Sequence, residues 1–87
     1  MVRLKASVTM SADEDGALLL DTRRGTYWHL NPVGVKLAEA LDAERSLDEL
    51  VQAVTSEFDV DPDVARRDVR RLLKDMKKAR LVEGRIA

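Results

Sequence analysis

Cysteine is absent from this 87-residue chain, which excludes disulfides, thiolate nucleophiles, iron–sulfur clusters and cysteine-based zinc sites. Histidine occurs once, as His29, so a two-histidine metal motif such as H-E-x-x-H cannot be built. Long apolar runs are missing too. The longest spans Ala17 to Leu20, far short of the ~20 residues that cross a bilayer. The opening residues, Met1 to Ser7, hold no apolar core of the kind a signal peptide needs. Neither sign of charge is in excess: 15 Lys and Arg stand against 16 Asp and Glu, for a net charge of −1. Such a balance argues against an indiscriminate nucleic-acid or membrane binder. These absences leave a soluble, cytoplasmic domain without enzymatic activity as the expectation.

What is present suits one small domain over residues 1–87. A chain of this size buries only about 60–65% of its unfolded surface, so its core is thin. Hydrophobic residues make up 45% and charged residues 36%, the latter well above the roughly 25% of an average domain, so the surface is densely ionic.

Composition shifts near Asn31. Before it, Ala6, Val8 and Met10 alternate with Ser7 and Thr9 as a half-buried strand over 6–10. Ser11 to Gly16 reads as a polar turn. Ala17 to Asp21 reads as the next strand, Thr22 to Gly25 as a short turn whose glycine can take positive φ, and Thr26 to Leu30 as a third strand. Short turns predict an antiparallel meander. After it, Asn31-Pro32 supplies an N-cap and a first-turn proline for a helix bearing Val33, Leu37, Ala40 and Leu41 on one face. Ser46 to Glu49 matches a capping box, opening a helix with Leu47, Leu50, Val51, Val54 and Phe58 aligned. Asp61-Pro62 repeats the cap-plus-proline device for a third helix running to about Ala79. Ala65, Val69, Leu72, Leu73, Met76 and Ala79 form its apolar stripe, and Leu81-Val82 before Gly84 reads as its stop. The predicted fold is α+β, in the order βββααα, similar to a winged helix-turn-helix.

A three-stranded meander is unstable alone. One face must therefore lie on the helices, while the free edges of its outer strands must be blunted or used. Strand alternation sends Tyr27 and Trp28 to opposite faces. The expected arrangement puts Trp28 inward with Thr26 and Leu30, and Tyr27 outward with His29.

No catalytic constellation is visible. His29 has neither a cysteine partner nor a carboxylate among its sequence neighbours, and reads as a structural or contact residue. Asp13-Glu14-Asp15 lacks the spacing of a calcium loop and reads as a solvated turn. Charge is more informative on the third helix. Arg66, Arg67, Arg70, Arg71, Lys74, Lys77, Lys78 and Arg80 face only Asp68 and Asp75 along it. One account is a solvated face paired with acids such as Glu49 or Glu57; the other is a binding role, because so many like charges on one helix repel unless something acidic approaches.

Two physical readings compete. A winged-helix DNA-binding regulator would insert the third helix into a major groove, but Asp61 and Asp63 occupy the end where base-reading residues belong. Alternatively, the free third strand accepts an extended peptide by β-augmentation while the third helix walls the groove. The second accounts for the open edge, the aromatic strand and the basic helix together.

The stretch from Leu18 to Gly34, containing Leu19-Leu20-Asp21, Gly25, Tyr27, Leu30-Asn31 and Gly34, resembles the L-L-D-x-x-x-G-x-Y-x-x-L-N-x-x-G segment of PqqD-like proteins. Phe58-Asp59-Val60-Asp61 resembles the family's F/Y-x-V-D, and Asp68-Val69 with Leu72, Leu73, Met76 and Leu81-Val82 resembles its D-V-x-x-L-L-x-x-L…G-L-V end; the family's glycine before Leu81 is Arg80 here. The likeness covers roughly residues 8 to 83. It implies a RiPP recognition element, a domain that binds the leader of a ribosomally made precursor peptide and presents it to modifying enzymes. The Tyr-Trp-x-Leu-Asn segment is most similar to the separate recognition proteins of lasso-peptide pathways. In those pathways the partners are a cysteine protease that removes the leader and an ATP-dependent cyclase. No catalytic residue, cofactor or metal is implied. The resemblance assigns peptide binding to Thr26, Tyr27, Trp28, His29 and Leu30 on the strand, and to Arg66, Val69, Arg70, Leu73 and Met76 on the helix.

Overall fold

A computed structural model describes residues 1–86. Eight elements follow one another: β1 (Val2–Leu4), β2 (Val8–Asp13), β3 (Gly16–Asp21), β4 (Thr26–Leu30), α1 (Pro32–Ala40), α2 (Leu47–Thr55), α3 (Pro62–Lys78) and β5 (Val82–Gly84). The meander is there, as the antiparallel sheet β2-β3-β4. Its first strand starts and ends later than the expected 6–10. Asp13 pairs with Gly16 across a two-residue turn, which the Asp13 carboxylate holds by accepting the Asp15 N–H at 2.9 Å. Ser11 to Asp13 thus continue the ladder instead of looping away.

The second hairpin is tied by Asp21, a charged residue only 3% exposed. Its carboxylate accepts the Arg23 N–H and its carbonyl accepts the Gly25 N–H, closing the turn in which Gly25 takes φ 68°. This is the local device that brings β4 back alongside β3 in register, with Tyr27 opposite Leu20 and Leu30 opposite Ala17.

Helix starts follow the sequence chemistry. Asn31 Oδ1 accepts the Gly34 N–H at 2.8 Å, Ser46 and Glu49 form the reciprocal capping box, and Asp61 accepts the Asp63 N–H. Each side chain satisfies a backbone donor that the first helical turn leaves without an intrahelical partner. A single apolar cluster joins both sheets and all three helices, with Leu19, Leu37, Leu50, Leu73, Met76 and Leu81 at its centre.

Two elements depart from the expected βββααα order. The βββααα order has no strand at residues 2–4, and Leu81-Val82 before Gly84 reads there only as a helix stop, yet β1 and β5 pair antiparallel, Val2 with Gly84 and Leu4 with Val82. Each segment is only three residues long, too short for periodicity to register. Val2 and Val82 are buried nonetheless, and the Lys5 N–H donates to the Leu81 carbonyl. Between them the chain ends clamp the base of α3.

Candidate functional site

β4 is an edge. It pairs with β3 along one side, and among the described residues no strand pairs with the other. The chain's final strand is engaged with β1, so β5 does not close this rim.

Alternation along β4 puts Leu30 into the core and half-buries Trp28, while Tyr27 is 73% exposed and His29 faces solvent. Leu18 and Leu20 of β3 stand outward on the same face as Tyr27. The expected inward and outward sets hold, except that Thr26 is exposed at the strand's end.

Between the free side of β4 and α3 lies a groove of about 490 Å³. Trp28, His29 and Leu30 line one wall; Val64, Ala65, Asp68, Val69, Arg71, Leu72 and Asp75 line the other. Asn31, then Val33, Gly34 and Leu37 of α1, with Val54 and Val60, contribute the rest. Its lining is mostly apolar, with Asp68, Arg71 and Asp75 as its charged groups. The start of α1 sits this close because position 34 is glycine: a Cβ there would lie 2.9 Å from Leu30 Cδ2.

Helical geometry divides α3 into three stripes. Ala65, Val69, Leu73 and Met76 are buried. Val64, Asp68, Arg71, Leu72 and Asp75 face the groove. Arg66, Arg67, Arg70, Lys74 and Lys78 line a separate basic depression, which Arg71 and Asp75 also border.

This division puts four of the expected contact residues outside the groove. Leu73 and Met76 are completely buried and offer no surface to a ligand; the apolar stripe that marked them is the core stripe. Arg66 and Arg70 lie on the basic depression and not on the groove, because they sit roughly a hundred degrees or more around the helix from Val64 and Asp68. Of the helix positions expected, the groove includes Val69, itself almost wholly buried. Missed were Val64, Asp68, Arg71, Leu72 and Asp75 as a lining set. The available signal was apolar Val64 and Leu72 lying one residue ahead of the core stripe.

The basic surplus on α3 is little compensated. Asp48 takes Arg66, and Asp68 meets Arg67 at 3.5 Å. Glu57 instead binds Lys36 at 3.0 Å, raising that lysine's pKa through the hydrogen bond, and Glu49 is held in its capping box. Among the described residues, Arg70, Arg71, Lys74 and Lys78 have no carboxylate within 4.0 Å.

An open strand beside a helix-walled groove is geometry that suits an extended peptide. The family described as coenzyme PQQ synthesis protein D (PqqD) matches residues 16–82. The chain belongs to the PqqD family. A structure of TbiB1 in complex with the TbiA(beta) leader peptide superposes with a TM-score of 0.85 at 28% identity, covering 98% of this chain and 99% of that one. A lasso peptide synthetase B1 complexed with the leader peptide gives 0.80 at 29% identity, covering 95% and 98%. The PqqD portion of Methylobacterium extorquens PqqCD, a stand-alone RiPP recognition element, gives 0.78 at 21% identity, covering 95% and 88%, a likeness of fold. No curated protein matches. The α+β fold, a small antiparallel sheet followed by three helices, is thus shared with these structures over 95–98% of the chain. No helix is long and apolar enough to cross a membrane among the described residues.

Proposed function

We propose that this PqqD-family protein binds the leader segment of a ribosomally made precursor peptide, that of a lasso peptide, as an added antiparallel strand along β4. The observation that carries this reading is the unpaired β4 edge opening onto the groove beside α3. The two relatives above one-quarter identity were each solved with a leader peptide bound.

Backbone groups of Thr26 to Leu30 pair with the peptide, each bond contributing about 0.5–1.5 kcal/mol net and little sequence preference. Apolar side chains of the peptide enter the groove beside Trp28, Val64 and Val69, each adding roughly 1.5–3 kcal/mol. Against an ordering and association cost of about 4–15 kcal/mol, a few anchors and a short ladder give micromolar to nanomolar affinity. The protein breaks no bond. As a single domain over residues 1–87 in the cytoplasm, it delivers the leader to a cysteine-protease leader peptidase and to an ATP-dependent cyclase, raising substrate concentration where they act.

Calorimetry with the precursor's leader tests this. Val64 is 40% exposed on the groove wall, so Val64→Glu leaves the fold intact and puts an unpaired carboxylate into the buried contact. Binding is expected to weaken at least ten-fold. Unchanged affinity with an unchanged melting curve rejects the groove.

A further inference from the structure

The groove is not uniform along its length. Val60 and Val64 expose apolar surface at the N-terminal end of α3, 38% and 40% accessible. Further along the same stripe come Asp68, Arg71 and Asp75. Asp68 has one partner, the adjacent Arg67, at 3.5 Å between two exposed side chains, and Asp75 has none within 4.0 Å among the described residues. Arg71 lies between the two aspartates and bonds neither. Of the cations that a peptide could use to hold carboxylates, Arg66, Arg70 and Lys74 line the other depression, and Arg71 borders both, which leaves two carboxylates against one guanidinium on the groove.

We infer that the groove selects a peptide carrying an apolar anchor for the Val60–Val64 end and a lysine or arginine for Asp68 and Asp75, rather than an acidic residue. The inference rests on the peptide-binding reading and deepens it by naming the chemical class of the ligand. Cations on the far side of α3 weaken any broad negative field here, so selection comes through a directed, charge-assisted hydrogen bond that strengthens as the incoming strand displaces water.

Spacing follows from the two repeat lengths. At 1.5 Å per helical residue, Asp68 lies about 6 Å and Asp75 about 16 Å along the axis from Val64. An extended strand advances about 3.3 Å per residue and returns to the same face every second one. Anchor and base are therefore two positions apart in the peptide for Asp68, and four or six for Asp75.

The test pans a random dodecapeptide display library against the full chain and carries the enriched peptides into fluorescence anisotropy. Enrichment of lysine or arginine two, four or six positions from an aliphatic or aromatic residue is expected. Asp68→Asn/Asp75→Asn should weaken the best such peptide about five-fold, and replacing its basic residue by glutamine should cost the same on the native chain and nothing further on the variant. Peptides that lose binding with Val64→Glu but carry a neutral or acidic residue at that position overturn the charge preference and leave the peptide site standing. So does an unchanged affinity for the Asp68→Asn/Asp75→Asn variant. Enriched peptides indifferent to Val64→Glu, or no enrichment at all, overturn the peptide reading itself and this inference with it.

Discussion

Arg80 has φ 62°, the left-handed region in which a Cβ crowds the backbone. It follows the C-cap Ala79 of α3, and its N–H donates to Lys77 while the Leu81 N–H reaches back to the Met76 carbonyl. Those two bonds make a Schellman ending, with Leu81 and Met76 both buried beneath it. The family pattern has glycine at this position, and the structure gives the reason. Arg80→Gly should raise stability by about 0.5–1 kcal/mol, read from the midpoint of urea unfolding. Val69 teaches the opposite lesson. Expected as a groove contact, it is 3% exposed, so Val69→Glu would bury a charge and destabilise the fold by several kcal/mol. Val64 is the position that separates binding from folding: its charged variant should lose the leader while its melting curve matches the native one.

Among the elements, α2 depends most openly on a side-chain cap. The Ser46 N–H donates to Glu49 Oε1 at 2.9 Å, and the Glu49 N–H donates to Ser46 Oγ at 3.1 Å. The Ser46 backbone bond first, and its side chain second, hold the Glu49 carboxyl below its ordinary value. A carboxyl with a depressed folded pKa contributes stability above its unfolded pKa. That contribution fades as pH falls through the folded value, because the unfolded chain then binds the extra proton. The native protein should therefore exceed Glu49→Gln in melting temperature at neutral pH. The gap should close as pH drops below the ordinary glutamate range; a gap constant with pH would show that the ionised form adds nothing. The capping box was legible in Ser46 and Glu49 because capping is local chemistry. Likewise Asn31-Pro32 and Asp61-Pro62 marked the starts of α1 and α3, and Gly25 marked the turn before β4. The groove stripe on α3 was not legible. Apolar periodicity tells which residues leave water, and Leu73 and Met76 do so by entering the core, whereas Val64 and Leu72 border a cleft created only when β4 and α3 come together.

For the whole molecule, the pairing of β1 with β5 engages the two short outer segments with each other and away from the β4 edge. Met1 and Arg85 exchange backbone bonds, the Arg85 N–H to the Met1 carbonyl and the Met1 amino group to the Arg85 carbonyl. Gly84 is fixed at φ 105°, where an added Cβ would lie 2.1 Å from the Met1 carbonyl oxygen. Gly84→Ala should cost about 1–3 kcal/mol, lowering the melting temperature by several degrees in a domain this small. Circular dichroism melts check it. Leader affinity measured well below the melting point should be unchanged, since Gly84 meets α3 through Lys77 Nζ, which donates to its carbonyl at 2.6 Å, and neither residue lines the groove.

Sequence alone determined the local pieces. Alternation and turn chemistry made a meander, cap residues set three helix starts, and the absence of cysteine and of a second histidine removed whole classes of chemistry. It also placed Tyr27 and Trp28 on opposite faces, since a strand's period of two does not depend on its surroundings. Tertiary structure decided what those pieces face. Burial at a given position of α3 is set by which elements pack around it, and three-residue strands such as β1 and β5 exist only because each supplies the other's hydrogen bonds. With β1 and β5 paired to each other, the outer side of β4 is left without a strand among the described residues, and that long-range choice, invisible to any local period, creates the edge on which the proposed peptide would pair.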